Sequence, residues 1–448
     1  MRQITLQVDK SYKCDVLVCG GGVSGFAAAV SAARTGAKTI LMESGGFLGG
    51  TATKGLVGPF MTCYDAEGKE RIIKGLYSEL EQTLLDLNGG IAPKQCRGSD
   101  SYSGYRTKGH IGVMPFDVES LKIALEQMCL KAGVTLLYHT TMLDCATNEG
   151  NITEVYAANY NELVSIQAKM FIDTTGFLTL AHKAGAETVR GNEDGLMQTN
   201  TMFFTIAGVD KERLDAYMNE HEEMRARFFM DEIEQGQKDG TFPCGTQKLR
   251  IFENPNGTWT VNMAQIDETL NELDGVEVAD GEVSQRLQIQ RIVAFLKENI
   301  VGLENIVLIA TGTDLGIRES RRLVGKTVFT LEDIQTCKKF DDRIAVCANS
   351  VDMHQKSRVN YIAHTGGNYY IPLSCLISKN VDNLLTAGKT LSADQYAFAA
   401  VRVMPPCIAM GEAAGVTAAL AAREGITAGE VAHEKVQEIL LANGAYLG

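Results

Sequence analysis

The sequence predicts an α/β protein: a Rossmann-like, doubly wound parallel sheet carrying a β-meander, interrupted by an inserted α+β domain. Three observations predict it. An apolar run, Val16-Leu-Val-Cys19, leads into Gly20-Gly-Gly22-Val-Ser-Gly25, an alanine-rich stretch and a second apolar run closed by Glu43. A further buried run, Met170-Phe-Ile-Asp173, ends in a glycine turn at Gly176, and the run from Asn383 to Thr386 ends the same way at Gly388. Strands that alternate with helical patterns in this way build βαβ units.

The first unit carries the strongest signal. Val16 to Cys19 reads as a buried parallel strand, and the segment from about Val23 to Thr35 as its crossover helix. Gly20 permits the tight turn, Gly22 lets the backbone approach a pyrophosphate, and Gly25 lets the helix pack closely on the strand. The helix N-terminus, at Val23 and Ser24, then faces the phosphates. Glu43 ends the second strand about 20 residues on, where a carboxylate accepts hydrogen bonds from ribose hydroxyls. Strand, helix, strand and acid in that order predict a bound dinucleotide.

Ser44 to Thr53 is a glycine-rich connection. Its backbone amides, around Ser44, Gly50 and Thr51, suit a second approach to phosphate or ring, and a plain surface loop is the alternative. Residues from about Ala66 to Met114 show glycines and little periodicity, which reads as an excursion bearing substrate-facing loops. From Asp117 a helical pattern passes through Gly133 into a meander of short strands, Thr135 to Tyr138, Ile152 to Ala158 and Leu163 to Ile166, separated by Asn-rich turns. The stretch from about Glu187 to Asn368 mixes a polar helical run (Lys211 to Gly236), strand-like pieces around Trp259 and an amphipathic helix from Val283 to Asn299. A long Ala/Gly-rich helix from about Pro406 to Arg423 follows the last strand. The expected division is therefore a discontinuous nucleotide-binding domain of residues 1–65, 115–186 and 370–448, with 66–114 as an excursion and 187–369 as a substrate or cap domain.

The chain has 448 residues, room for two or three domains, and its 45% apolar and 22% charged content is that of an ordinary globular protein. A net charge of −13 argues against a nucleic-acid groove or membrane surface as partner. No stretch has the length and purity of a transmembrane helix, and Met1 to Asp9 lacks the apolar core of a signal peptide, so the expectation is a cytoplasmic protein without membrane insertion. The 11 cysteines are scattered and never spaced as CxxC, which fits reduced thiols and removes a redox-active disulfide. No His, Cys or acid group has metal-ligand spacing.

Four segments together resemble one family, the FAD-dependent oxidoreductases related to the glutathione-reductase-type flavoproteins, in the branch with a single Rossmann domain. They are Gly20 to Thr53, Ile172-Asp-Thr-Thr-Gly176, Gly316-Ile-Arg318-Glu-Ser-Arg-Arg322-Leu-Val-Gly325, and Tyr370-Ile-Pro-Leu through Gly415. The resemblance implies FAD, with its adenosine at the first βαβ unit and its isoalloxazine facing the substrate domain. It adds Met142, Thr175, Gly176, Gly388, Cys407 and Gly411 to the expected cofactor contacts and leaves the substrate open. Two departures stand out. Phe177-Leu-Thr-Leu replaces the Asp-Gly-Asp that often continues the second turn, and Lys389 stands where an Arg is frequent, keeping the charge without the planar fork.

The helix from Pro405, if it points at the flavin, would set its dipole and free amides against the negative charge of the reduced ring. Arg318, Arg321 and Arg322, three and four residues apart, would share a helix face and clamp a carboxylate; equally, Glu319 and other acids would consume them in an ion-pair network, leaving Arg318 to reach the flavin side. Arg402, His354 and His364 are the other candidates for catalysis, the histidines as proton donors or acceptors or as hydrogen-bonded loop residues. Tyr369 and Tyr370 share that ambiguity. The function so implied is hydride transfer between a small organic substrate and flavin N5. Without a second GxGxxG, the other electron donor or acceptor is a transient nicotinamide, oxygen, a quinone, free flavin or a carrier protein. Two alternatives remain: a thiazole-synthase-like enzyme that uses the dinucleotide as a reactant, and a structural-FAD module acting on RNA. An oligomer is compatible with either.

Overall fold

The computed structural model of the chain describes residues 5, 7–61, 63–93, 95, 101–102, 112–221, 227–266, 270–355, 358–362 and 367–448. At its centre five parallel strands run in the order Leu384–Thr386, Met170–Asp173, Val16–Cys19, Thr39–Met42, Thr135–Leu137. Val16 to Cys19 and Thr39 to Met42 are buried throughout, as apolar strands covered on both faces must be. The crossover helix spans Val23–Arg34 and is buried from Val23 to Ala32.

The second long helix, Met404–Glu424, lies directly on the first. Two glycines set the approach. A Cβ on Gly411 would stand 2.2 Å from the Ser24 carbonyl oxygen, and one on Gly415 would stand 2.2 Å from that of Ala28. The pair of helices therefore interlocks backbone against backbone, and the Ala-rich composition of both follows from that spacing. Among the described residues no single helix is long and apolar enough to cross a membrane; the bent pair Gln395–Val401 and Met404–Glu424, which turns through 96°, is buried in this body.

The meander differs from expectation. Thr135–Leu137 is the edge of the parallel sheet, and the meander consists of Thr140–Asn148, Asn151–Asn159 and Glu162–Gln167, with Lys10–Lys13 pairing parallel to the last. Thr140–Asn148 escaped because most of its side chains are wholly or partly exposed, Leu143 among them, so no two-residue apolar alternation marks it.

Residues 66–114 are not an excursion as a whole. The helix Leu76–Asp86 buries Leu76, Tyr77, Leu80 and Leu84 in the core of the nucleotide body, and Phe60 and Phe116 close over it with ring centroids 4.5 Å apart. Among the described residues of this stretch, Ser101–Tyr102 crosses to the second domain. The inserted domain also ends earlier than expected. The strands Arg343–Cys347 and Tyr369–Pro372 pair with each other, and Phe329, Val346 and Tyr369 sit in the first core, so the chain has returned to the nucleotide body soon after Arg318.

The cap is an antiparallel sheet in the order Val307–Thr311, Asn200–Ala207, Trp259–Ile266, Ile251–Glu253, Ser101–Tyr102. One face packs Met202, Phe204, Val261 and Ile251 against Ile289 and Phe295 of the helix Gly275–Asn299. That helix starts earlier than its apolar pattern suggested, where Asp274 accepts from the amides of Val276 (2.8 Å) and Glu277 (3.1 Å). The polar run is two helices, Lys211–Glu220 and Met230–Asp239, with Phe228 and Phe229 at positive φ just before the second.

Candidate cofactor and active site

Between the nucleotide body and the cap lies a cavity of about 980 Å³, the upper end of the roughly 300–1,000 Å³ of small-molecule sites. Gly20, Gly22, Val23 and Ser24 form its floor. Gly20 has φ +102°, and a Cβ there would lie 2.5 Å from the Thr174 carbonyl oxygen, so only glycine makes this turn. A Cβ on Gly22 would meet nothing within 4 Å: its bare Cα faces open cavity. Gly22 also caps the helix without a side chain, leaving the first amides for a ligand. A pyrophosphate fits this cradle.

Glu43 lines the same end and is buried. Its carboxylate accepts from the amides of Gly21 and Gly45 (both 2.7 Å) and from the Lys54 ammonium (2.6 Å). Burial acts to raise its pKa, but Lys54 and the two amides overcome it and hold the group below the usual carboxylate range. Lys54 was invisible in the sequence as a site residue. Ser44, Gly50 and Thr51 line the cavity beside it, and Met142 lines it from the meander.

The second glycine turn supplies Thr175, Gly176 and Phe177. Asp173 is spent on the turn itself: it accepts from the Thr175 amide (3.0 Å) and hydroxyl (2.7 Å) and from the Ala181 amide (2.9 Å). Lys389 closes over Phe177, its ammonium 5.2 Å from the ring centroid and donating to the Ile317 carbonyl at 2.6 Å. Burial and the positive Arg402 nearby lower its pKa to about 8.

At the far end Arg318, Asp352, His354 and Arg402 converge. His354 Nε2 lies 3.0 Å from Asp352 Oδ2, and Arg402 donates to the Asp352 carbonyl (3.0 Å) and carboxylate (3.2 Å). Arg318 donates to the Thr199 carbonyl at 2.6 Å. Burial would raise the Asp352 pKa; His354 and Arg402 overcome it and hold the carboxyl far down. Burial and Arg318 lower the His354 pKa to about 4 against the pull of Asp352. The Arg402 Nε is buried with no hydrogen-bond partner among the described residues. Asp352 was overlooked although it stands two residues from His354 on the strand Val351–Gln355, the spacing that shares a face.

Several expected contacts lie elsewhere. Gly25, Gly388 and Gly411 do not line the cavity; added Cβ atoms would meet the Gly20 oxygen at 1.8 Å, Ser24 Oγ at 2.3 Å and the Ser24 oxygen at 2.2 Å, so they hold the wall from behind. The arginines do not share a helix face, because Gly316 to Arg321 is extended or irregular chain. Arg322 is instead buried in an ion pair with Glu319 and donates to the carbonyls of Ala393 (3.0 Å) and Gly191 (2.7 Å), while Arg321 donates to that of Phe177 (3.2 Å). The Tyr369 hydroxyl donates to Asn349 inside the core. His364 lies outside the described residues. Cys407 lines the cavity as a neutral thiol, its pKa pushed up to about 12 by burial. The start of the helix Met404–Glu424 opens on the cavity, but Pro405 and Pro406 carry no N–H and the Cys407 amide is taken by the Val403 carbonyl (3.2 Å). It therefore offers its dipole and little hydrogen bonding.

The cap roofs the cavity with alternate residues of its sheet, Thr201, Phe203, Asn262 and Arg250, joined by Lys248. None was singled out in the sequence. The one available signal was the polar–apolar alternation of Lys248-Leu-Arg250-Ile.

The family model described as FAD dependent oxidoreductase matches residues 15–440. The chain belongs to the FAD-dependent oxidoreductases. FAD is its cofactor, and the cradle at Gly20 to Ser24 has the open space and free helix amides that suit a pyrophosphate. It is 23% identical over 164 residues to the digeranylgeranylglycerophospholipid reductase of Methanothrix thermoacetophila, a match covering 37% of this chain and 39% of that relative. Its shape is similar to a geranylgeranyl bacteriochlorophyll reductase-like protein of Thermoplasma acidophilum, with 16% identity, TM-score 0.46 and coverage of 98% of this chain and 85% of the other. It is also similar to p-nitrophenol 4-monooxygenase of Pseudomonas putida, with 10% identity, TM-score 0.49 and coverage of 96% and 84%.

Proposed function

We propose that this flavoprotein transfers a hydride between the flavin and a small organic substrate bound against Arg318, Asp352, His354 and Arg402. The observation that carries the reading is the convergence of these side chains, from separate segments, at one end of the cofactor cavity. FAD, when bound, supplies the two-electron hydride carrier. The remaining chemistry belongs to the chain. Asp352, ionised, fixes His354 through Nε2–H and steadies Arg402. His354 Nδ1 then carries the lone pair, and because the imidazole stays neutral down to about pH 4 it takes a proton from a substrate hydroxyl instead of giving one. Arg318 and Arg402 orient that oxygen and stabilise the negative charge it gains as the proton leaves. In the reducing direction the same contacts run backwards. A second small molecule or carrier protein completes the electron cycle.

The test is anaerobic flavin bleaching in a screen of hydroxy acids and polyols, with enoates offered to the dithionite-reduced protein. Arg318→Ala should keep its FAD and lose roughly 100-fold or more in the rate found for wild type. An unchanged rate removes Arg318 from the reaction.

A further inference from the structure

We infer that Lys248 and Arg250 form an oxyanion-binding end of the substrate site, so that the substrate is an acid or a phosphate ester held by its anionic group against the cap sheet. The sheet geometry carries the inference. Along Asn200–Ala207, Trp259–Ile266 and Ile251–Glu253 one set of alternate side chains fills the cap core, and the other set, Thr201, Phe203 and Asn262, faces the cavity. Arg250 continues that face: it stands opposite Asn262, whose amide donates to the Arg250 carbonyl at 3.0 Å, just before the strand Ile251–Glu253 begins. Lys248 lies two residues earlier on the same wall.

Two cations side by side in a partly buried wall repel each other, and among the described residues no carboxylate relieves them. Among the described residues Lys248 meets only the Phe228 ring, at 5.5 Å, and Arg250 makes no side-chain hydrogen bond or ion pair. Burial and Arg250 lower the Lys248 pKa. The cavity's own acids are committed elsewhere: Glu282 accepts from Arg286 (3.3 Å) and from the Leu315 amide (3.3 Å), and Asp314 faces Lys54 (3.9 Å). In a chain of net charge −13 an unrelieved basic pair facing a cavity is an arrangement that an incoming anion completes. Asn262 adds a carboxamide beside it. From Arg250 to Phe203 is two strand spacings, roughly 10 Å, which sets the distance by which the anion is offset from the strand that leads toward Arg318.

The identity of the reacting end rests on the hydride-transfer reading; the anion site does not. The experiment is therefore an equilibrium one on the FAD-loaded protein: titration with inorganic phosphate and, separately, with succinate, followed by the flavin difference spectrum and by calorimetry. Lys248→Gln and Arg250→Gln should each weaken binding at least 10-fold with FAD content unchanged, and Lys248→Arg should restore it to within 3-fold. Lys297→Gln, at an exposed cap lysine outside the cavity lining, should stay within 3-fold of wild type, and Arg318→Gln is measured alongside. Tighter phosphate identifies a phosphate ester, tighter succinate a carboxylic acid. Three results overturn the proposal: no saturable binding of either anion, loss of affinity confined to Arg318→Gln, or loss of FAD from the cap variants, which would assign the pair to the cofactor's own phosphates. A failed bleaching screen with intact anion binding would refute only the hydride reading.

Discussion

At the glycine cradle the nucleotide body meets the cavity with backbone, whereas the cap meets it with side chains. Gly20 makes the tight turn and Gly22 leaves open space beside it, whereas Phe203, Asn262, Lys248 and Arg250 face the cavity with ring, carboxamide and charge. The same contrast appears in what holds each wall. Behind the first, Gly25 lets the helix close on the Gly20 turn and Gly411 lets the two helices touch, with almost no clearance, so the surface is rigid and allows little variation. Behind the second is an ordinary apolar core of Phe204, Val261, Ile289 and Phe295, which any sheet packed on a helix would have. A cofactor common to many enzymes is recognised by the first method; a substrate particular to one enzyme needs the second.

Damage to one half, read out in the other, shows whether the two are independent. Phe204→Ala, in the centre of the cap core, should cost about 3–5 kcal/mol of cap stability while the flavin spectrum of the folded protein is retained. Urea unfolding followed by flavin release and by Trp259 fluorescence should then give two separated transitions, since Trp259 belongs to the cap. Coincident transitions would mean that body and cap unfold as one unit.

A pH experiment asks whether the cluster between the halves is as buried as its surroundings imply. The imidazole of His354 titrates near 4 in the fold and near 6.5 once unfolded. As pH falls through 6.5 the unfolded chain takes up a proton that the folded one refuses, so stability is lost between about 6.5 and 4 and is unaffected above that window. Linkage puts the loss at up to about 3 kcal/mol. Denaturant unfolding of the flavin-stripped protein at pH 7.5 and pH 4.5 should show it, and His354→Gln should flatten that part of the slope; an identical slope in the variant assigns the loss to other groups.

The smallest effect belongs to the helix interlock. Gly411→Ala should lower stability by about 1–3 kcal/mol and weaken FAD retention together, because the Ser24 carbonyl it displaces belongs to the cradle. A fall in thermal midpoint with unchanged FAD affinity would show that the cradle is set by its own turn alone.

The parts of the molecule legible in the sequence are those whose chemistry is local. Gly20 to Glu43 declared itself because one short segment contains strand, turn, helix and acid, each forced by backbone geometry. Thr140–Asn148 did not, since a mostly exposed strand has no apolar period to read. The arginine segment left a clamp and an ion-pair network equally open, and the network is what forms: Arg322 and Glu319 are satisfied by Gln198, Gln395, Ala393 and Gly191, groups brought together only by the finished fold. Lys248 and Arg250 were equally hidden, because which face of a sheet a residue occupies depends on register, and register here is set by distant strands.

The parallel sheet reaches from Val16 to Thr386, and the helix that closes the cradle begins at Met404. The four longer cap strands, by contrast, all fall between Asn200 and Thr311. During synthesis the cap can therefore assemble while the nucleotide body is still missing an edge strand and its closing helix. The cradle is complete only once the chain runs past Met404, so nascent chains stalled before it should bind no FAD.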